Sequence, residues 1–151
     1  MDLNIRGRKA VITGGSKGIG RAVADRLASE GVDVHLVART PETLEATVSE
    51  LRNDYGINAS FSALDLSVSA NIDRLFANCS DPIDTLVNNA GAIPGGSMDL
   101  VVEDTWREAW DLKVFGYINM CRLAYARMRD VGQGVIINII GAAGERPSQG
   151  Y

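Results

Sequence analysis

A short apolar run, Lys9-Ala10-Val11-Ile12-Thr13, passes directly into Gly14-Gly15-Ser16-Lys17-Gly18-Ile19-Gly20. Apolar residues at a spacing of four then follow, at Ile19, Val23 and Leu27. That order is a buried strand, a glycine turn and a helix with one apolar face. Such a turn leaves the first amides of the helix free and aims them, with the positive end of the helix, at one spot, which suits a phosphate. Glycines let a diphosphate approach the backbone closely and let the helix pack on the sheet. The Gly-x-Gly-x-x-Gly spacing fails, because Lys17 occupies a needed glycine slot. A P-loop from Gly15 to Gly20 also fails, because Arg21 and Ala22 stand where Lys and Ser/Thr are required. What remains is Gly-x-x-x-Gly-x-Gly at Gly14, Gly18 and Gly20.

The alternation continues along the chain. Residues 32–37, 57–64, 84–88 and 135–140 read as four further strands. Helices read over 18–30, over 68–78, and from Pro41 with Thr40 as its N-cap. Leu44, Val48 and Leu51 form the apolar face of the Pro41 helix, and Ile72, Leu75 and Phe76 that of the next. One long helix is predicted over 103–130, stopped by Gly132 and Gly134. Strands apolar on both faces, alternating with helices, predict an α/β fold: a doubly wound parallel sheet, Rossmann-like, in a single domain over 1–151. Glycines and small polar residues cluster after the first, fourth and fifth strands. That is the carboxyl rim, where such sheets bind ligands.

Composition narrows the function classes. Fifteen Lys+Arg against nineteen Asp+Glu give a net charge of −4 over 151 residues, with no basic run, so a nucleic-acid partner is not expected. No apolar stretch approaches the roughly 18 residues of a membrane span, and the start is no secretory signal, so no membrane partner is expected. Cys79 and Cys121 lack metal-ligand spacing and read as free thiols in a reducing, cytoplasmic setting.

Thr13 with the Gly14/Gly18/Gly20 pattern, Asp65-Leu66 after the third strand, Asn88-Asn89-Ala90-Gly91 after the fourth, and Trp106 with Phe115-Gly116 on the long helix occur in the order of one family. In these features the chain resembles the short-chain dehydrogenase/reductase family over nearly its whole length. The resemblance implies that Gly14, Ser16, Gly18, Ile19 and Gly20 line the diphosphate of a nicotinamide dinucleotide. Asp65 would accept from the adenine amino group beside the Leu66 backbone. Asn88, Ala90 and Gly91 would lie against the ribose and nicotinamide, while Asn89 braces the sheet. The end of the second strand chooses the cofactor, because an acid there repels a 2′-phosphate. Ala38 stands there, flanked by Arg39 and with Lys17 in the glycine turn, which predicts NADP(H) over NAD(H).

The family's chemistry uses a Ser, a Tyr-x-x-x-Lys and an Asn relay, and these are not found in place. Lys113 stands at the relay position, seven residues after Trp106, and Gly141 stands where the Ser belongs. Tyr151, ten residues beyond Gly141, is either the catalytic Tyr or a loop aromatic. Lys113 either supplies a substitute charge near the substrate or pairs with an acid or with solvent. His35 lies within the second strand and reads as structural. No catalytic residue is assigned. The expected function is the NADP(H)-binding portion of an oxidoreductase acting on a small alcohol or carbonyl. The alternative is a nucleotide-binding or regulatory member that does no chemistry. Residues 135–140 would form an apolar edge strand, so the chain reads as part of a longer protein or as one that pairs with its own copy. The aromatic bulk of the long helix, Trp106, Trp110, Phe115, Tyr117 and Tyr125, is read either as a homo-oligomer contact or as core.

Overall fold

The computed structural model describes residues 3–79, 82–91, 94–97 and 99–141; Gly144, Pro147 and Tyr151 lie outside them. Strands β1 (Lys9–Thr13), β2 (Asp33–Ala38), β3 (Ala59–Ala63), β4 (Thr85–Asn88) and β5 (Val135–Asn138) form one sheet in the order β3-β2-β1-β4-β5. Every pairing is parallel, with Ile12 beside Leu36 on one flank and beside Val87 on the other. The expected doubly wound α/β architecture is the one found.

Side chains alternate across the strands, so each face has its own core. Ala10, Ile12, Val34, Leu36 and Val87 pack against α1 (Gly18–Ser29) and α2 (Pro41–Tyr55). Val11, Val37 and Leu86 pack against α3 (Ser69–Asn78) and α5 (Tyr117–Val131). Leu44, Val48 and Leu51 of α2, and Ile72, Leu75 and Phe76 of α3, are buried as their spacing predicts.

Two helices differ from the sequence expectation. In α1 the fully buried face is Gly20, Ala24 and Ala28, one residue round from Ile19, Val23 and Leu27. Small residues let α1 lie close against the sheet, while Ile19 is left 62% exposed at the rim. The long helix is interrupted. After α4 (Glu103–Trp110) the ladder widens into a π-helical stretch over Asp111–Gly116 before α5 begins. Gly116 sits at the junction, where an added Cβ would come within 3.0 Å of the Leu66 carbonyl oxygen.

Candidate functional site

The carboxyl rim is built around the turn after β1. Gly14 has φ +67° and its N–H donates to the Val37 carbonyl at 2.7 Å. Gly20 lies so close to that turn that a Cβ would stand 2.2 Å from the Gly14 carbonyl oxygen, so only glycine fits. The turn is tied to the end of β4 by side chains of both. The buried Thr13 hydroxyl accepts from the backbone N–H of Asn89 at 2.9 Å and of Ala90 at 3.0 Å. Asn89 Nδ2 donates to the carbonyls of Thr13 and Gly14, each at 3.2 Å, the bracing role expected of it. The α1 amides open without a side-chain cap, since Lys17 at the N-cap makes no capping bond. They face a cavity of about 360 Å³.

This cavity gathers Gly14, Ser16, Lys17, Gly18, Ile19, Arg39, Asp65, Leu66, Ala90 and Gly91 in its lining. These are the sequence-selected residues except Gly20 and Asn88. Gly20 serves the cavity from behind, by letting α1 approach. Asn88 is placed differently from the expectation that it faces a ribose. It is fully buried, and its Nδ2 donates to Asn138 Oδ1 at 2.9 Å and Cys121 Sγ at 3.2 Å. It is a link between β4, β5 and α5, because its strand position turns it into the sheet-to-helix layer.

At the β2–β3 end, Ala38 leaves the strand terminus uncharged and Arg39 stands beside Asp65. Asp65 Oδ1 accepts from the Ser67 N–H at 3.0 Å and the Ser67 hydroxyl at 2.7 Å. Those bonds, helped by the Arg39 charge, hold the carboxyl below its ordinary range. The side chain is thus fixed as a hydrogen-bond acceptor.

At the β4–β5 end, Lys113 crosses Gly91 and enters the rim, with its Nζ donating to the Tyr117 hydroxyl at 2.6 Å and to the Ile139 carbonyl at 2.6 Å. Among the described residues its partners are thus a hydroxyl and a carbonyl, with no acid in ion-pair range. Burial lowers its pKa and raises that of Tyr117 to about 12. Sequence reasoning had counted Tyr117 only as bulk. The i,i+4 spacing of Lys113 and Tyr117 was the signal that would have paired them. Thr13 was noted only as the residue before the glycines, and its hydroxyl is the tie on which the cavity floor depends. Gly141 is exposed just beyond β5. His35 lies away from this rim, its ring nitrogens paired with the hydroxyls of Ser60 at 2.8 Å and Ser62 at 2.9 Å.

A family model described as short chain dehydrogenase matches residues 8–151. The chain is 36% identical over 138 residues to 2,3-dihydro-2,3-dihydroxybenzoate dehydrogenase of Bacillus subtilis, covering 89% of this chain and 52% of that protein. It is 30% identical over 147 residues to the 3-oxoacyl-[acyl-carrier-protein] reductase of Aquifex aeolicus, covering 95% and 59%. L-sorbose reductase from Gluconobacter frateurii, solved with NADPH and L-sorbose, superposes with a TM-score of 0.93 at 31% identity over 98% of this chain and 57% of that one. The chain thus spans little more than half the length of these relatives.

Proposed function

The chain belongs to the short chain dehydrogenase family, and from that membership we propose that it is the NADP(H)-binding part of an oxidoreductase interconverting a small alcohol and its carbonyl. The observation that carries this reading is the cradle: uncapped α1 amides over a glycine turn that is locked to β4 by Thr13 and Asn89. Room for a diphosphate there is supported by the open space at Gly18, where an added Cβ meets nothing within 4 Å, and by Gly20, whose lack of a Cβ lets α1 lie against the turn. Gly14, Ser16, Gly18 and Ile19 would hold that diphosphate. Lys17 and Arg39 would bind a 2′-phosphate, with Asp65 and Leu66 at the adenine and Ala90 and Gly91 at the nicotinamide half. Bound NADPH would supply the hydride.

The NADPH complexes of solved relatives support the cofactor choice. The exposed Trp110, Phe115, Ile118 and Tyr125 support a homo-oligomer, and the free thiols of Cys79 and Cys121 support a cytoplasmic setting. A second reading, a cofactor-binding protein that does no chemistry, is favoured by Gly141 and Lys113 in the places of the family's Ser and Asn.

The test is a fluorescence titration with NADPH and with NADH, followed by NADPH oxidation against a panel of small carbonyls. Tighter NADPH binding with carbonyl-dependent oxidation supports the first reading. Binding without oxidation supports the second. Tighter NADH binding overturns the 2′-phosphate assignment, and no binding of either overturns the cradle.

A further inference from the structure

The cradle fixes where the two halves of a dinucleotide go. Arg39 and Asp65 occupy the β2–β3 end of the cavity, so on the NADP(H) reading the adenosine half would lie there and the other half would run toward Gly91. Lys113 is not in the cavity's lining but packs on Gly91, which marks that second end. A Cβ on Gly91 would come 2.7 Å from its Cδ and 3.1 Å from its Nζ. Among the described residues its ammonium meets neutral groups: the Tyr117 hydroxyl and ring, and the Ile139 carbonyl. Among the described residues, no carboxylate lies within 4.0 Å of Nζ. An ammonium has three donors, and these partners use two.

We propose that Lys113 makes the site select the oxidation state of its dinucleotide, its unneutralised ammonium favouring the uncharged reduced nicotinamide ring over the cationic oxidised one. This inference rests on the NADP(H) reading above. The two forms of the cofactor differ by one positive charge at the ring, so a fixed cation beside the ring separates their affinities. The site is biased toward holding NADPH and releasing NADP+, the sense that suits carbonyl reduction.

The bias depends on the proton of Lys113. Below its pKa the ammonium repels the oxidised ring; above it the neutral amine does not. Burial lowers that pKa, which brings the change below the ordinary lysine range. The charge of the oxidised ring favours the amine form of Lys113, so NADP+ binding is coupled to loss of its proton to the buffer, more strongly as pH rises toward the lowered Lys113 pKa, with no bond in the cofactor changed. Among the described residues, the other titratable groups at this corner are Tyr117, which stays protonated because its pKa is raised to about 12, and Cys121, which lies beside Tyr117 on α5. From the end of β5 Lys113 meets the backbone carbonyl of Ile139.

The test compares the full chain with K113M, K113R and C121S by calorimetry, using NADPH, NADP+ and 2′,5′-ADP, which lacks the nicotinamide. Titrations are run at neutral and alkaline pH in two buffers of different ionisation enthalpy. The unaltered chain should bind NADPH about tenfold more tightly than NADP+ at neutral pH. Proton release should accompany NADP+ alone, and the preference should fade as pH rises. K113M should bring the two affinities together and abolish proton release. K113R should keep the preference at every pH, because its guanidinium stays charged. C121S should behave as the unaltered chain. Equal 2′,5′-ADP binding in all four shows that the cradle is intact. A K113M chain that keeps both the full preference and normal 2′,5′-ADP binding overturns the inference alone. An unaltered chain that binds neither NADPH nor 2′,5′-ADP overturns the dinucleotide reading, and this inference with it.

Discussion

Replacing Gly20 by alanine adds one methyl group at the point where α1 rests on the turn after β1. The new Cβ would stand 2.2 Å from the Gly14 carbonyl oxygen, 2.8 Å from its carbon and 2.6 Å from Asn89 Nδ2. The shortest of these falls short by more than 1 Å of the 3.4 Å at which ordinary contact begins. Two of the three atoms are backbone, so no rotamer change relieves them and the first turn of α1 must lift. Overpacking of this kind costs about 3 kcal/mol at the upper end of its range. Alanine in a helix returns about 1 kcal/mol relative to glycine. The net loss is about 2 kcal/mol, or about 4–8 °C in Tm for a chain this size. The lifted amides also leave the diphosphate, so the NADPH Kd should rise at least tenfold, about the worth of one charge-assisted hydrogen bond. Urea unfolding and NADPH titration read the two effects. Gly18→Ala separates them: its site is open, with φ +58°, so about 1 kcal/mol of strain is expected while the methyl intrudes on the ligand's space. A Gly20→Ala chain within about 0.5 kcal/mol of the parent and with unchanged NADPH affinity would refute the close-approach argument.

Arg39→Ala should weaken NADPH by about ten- to a hundredfold and leave NADH little changed, as loss of a charge-assisted contact to a 2′-phosphate requires; paired titrations check it. Thr13→Val should destabilise the fold by about 2–4 kcal/mol in urea, because the buried N–H groups of Asn89 and Ala90 lose their acceptor. Burial lowers the His35 pKa, so the unfolded chain binds the proton first and stability falls as pH drops below about 6.5. His35→Gln should flatten that part of the stability-against-pH curve measured between pH 7.5 and 5.5, leaving the carboxylate part at lower pH.

The sheet was legible because its determinants are local. Most strands are short apolar runs closed by turn residues, and β1 is found over Lys9–Thr13 as read. The cradle was legible for the same reason, since Gly14, Gly18 and Gly20 fall within one turn. The buried face of α1 was read in part: Val23 and Leu27 pack against the core, but periodicity weights large side chains, whereas close helix-to-strand contact selects Gly20, Ala24 and Ala28 as the fully buried positions. The π-helical stretch left no trace in apolar spacing. Its last residue, Gly116, sits where an added Cβ would come 3.0 Å from the Leu66 carbonyl oxygen, a group far off in the chain. The hydrogen-bond partners of Lys113 were not legible for a related reason. Its partners are a hydroxyl on its own helix and a carbonyl from the far side of β5, and neither is a charge that a sequence advertises. Asn88 shared a motif with Asn89, but adjacent residues of a strand point to opposite sides, and only one of the two reaches the cavity.

Because β1 lies mid-sheet although it comes first in the chain, synthesis meets a waiting problem. Its β2 neighbour emerges about twenty residues later, but Ala10 pairs with Thr85 and Ile12 with Val87. One flank of the central strand therefore stays bare while some seventy residues leave the ribosome, and pairings this distant form slowly. A nascent chain halted before β4 would expose that flank, with Thr13 still lacking the amides it must receive. Chaperone capture of ribosome-bound chains should accordingly fall once β4 and the Asn89 segment have cleared the exit tunnel.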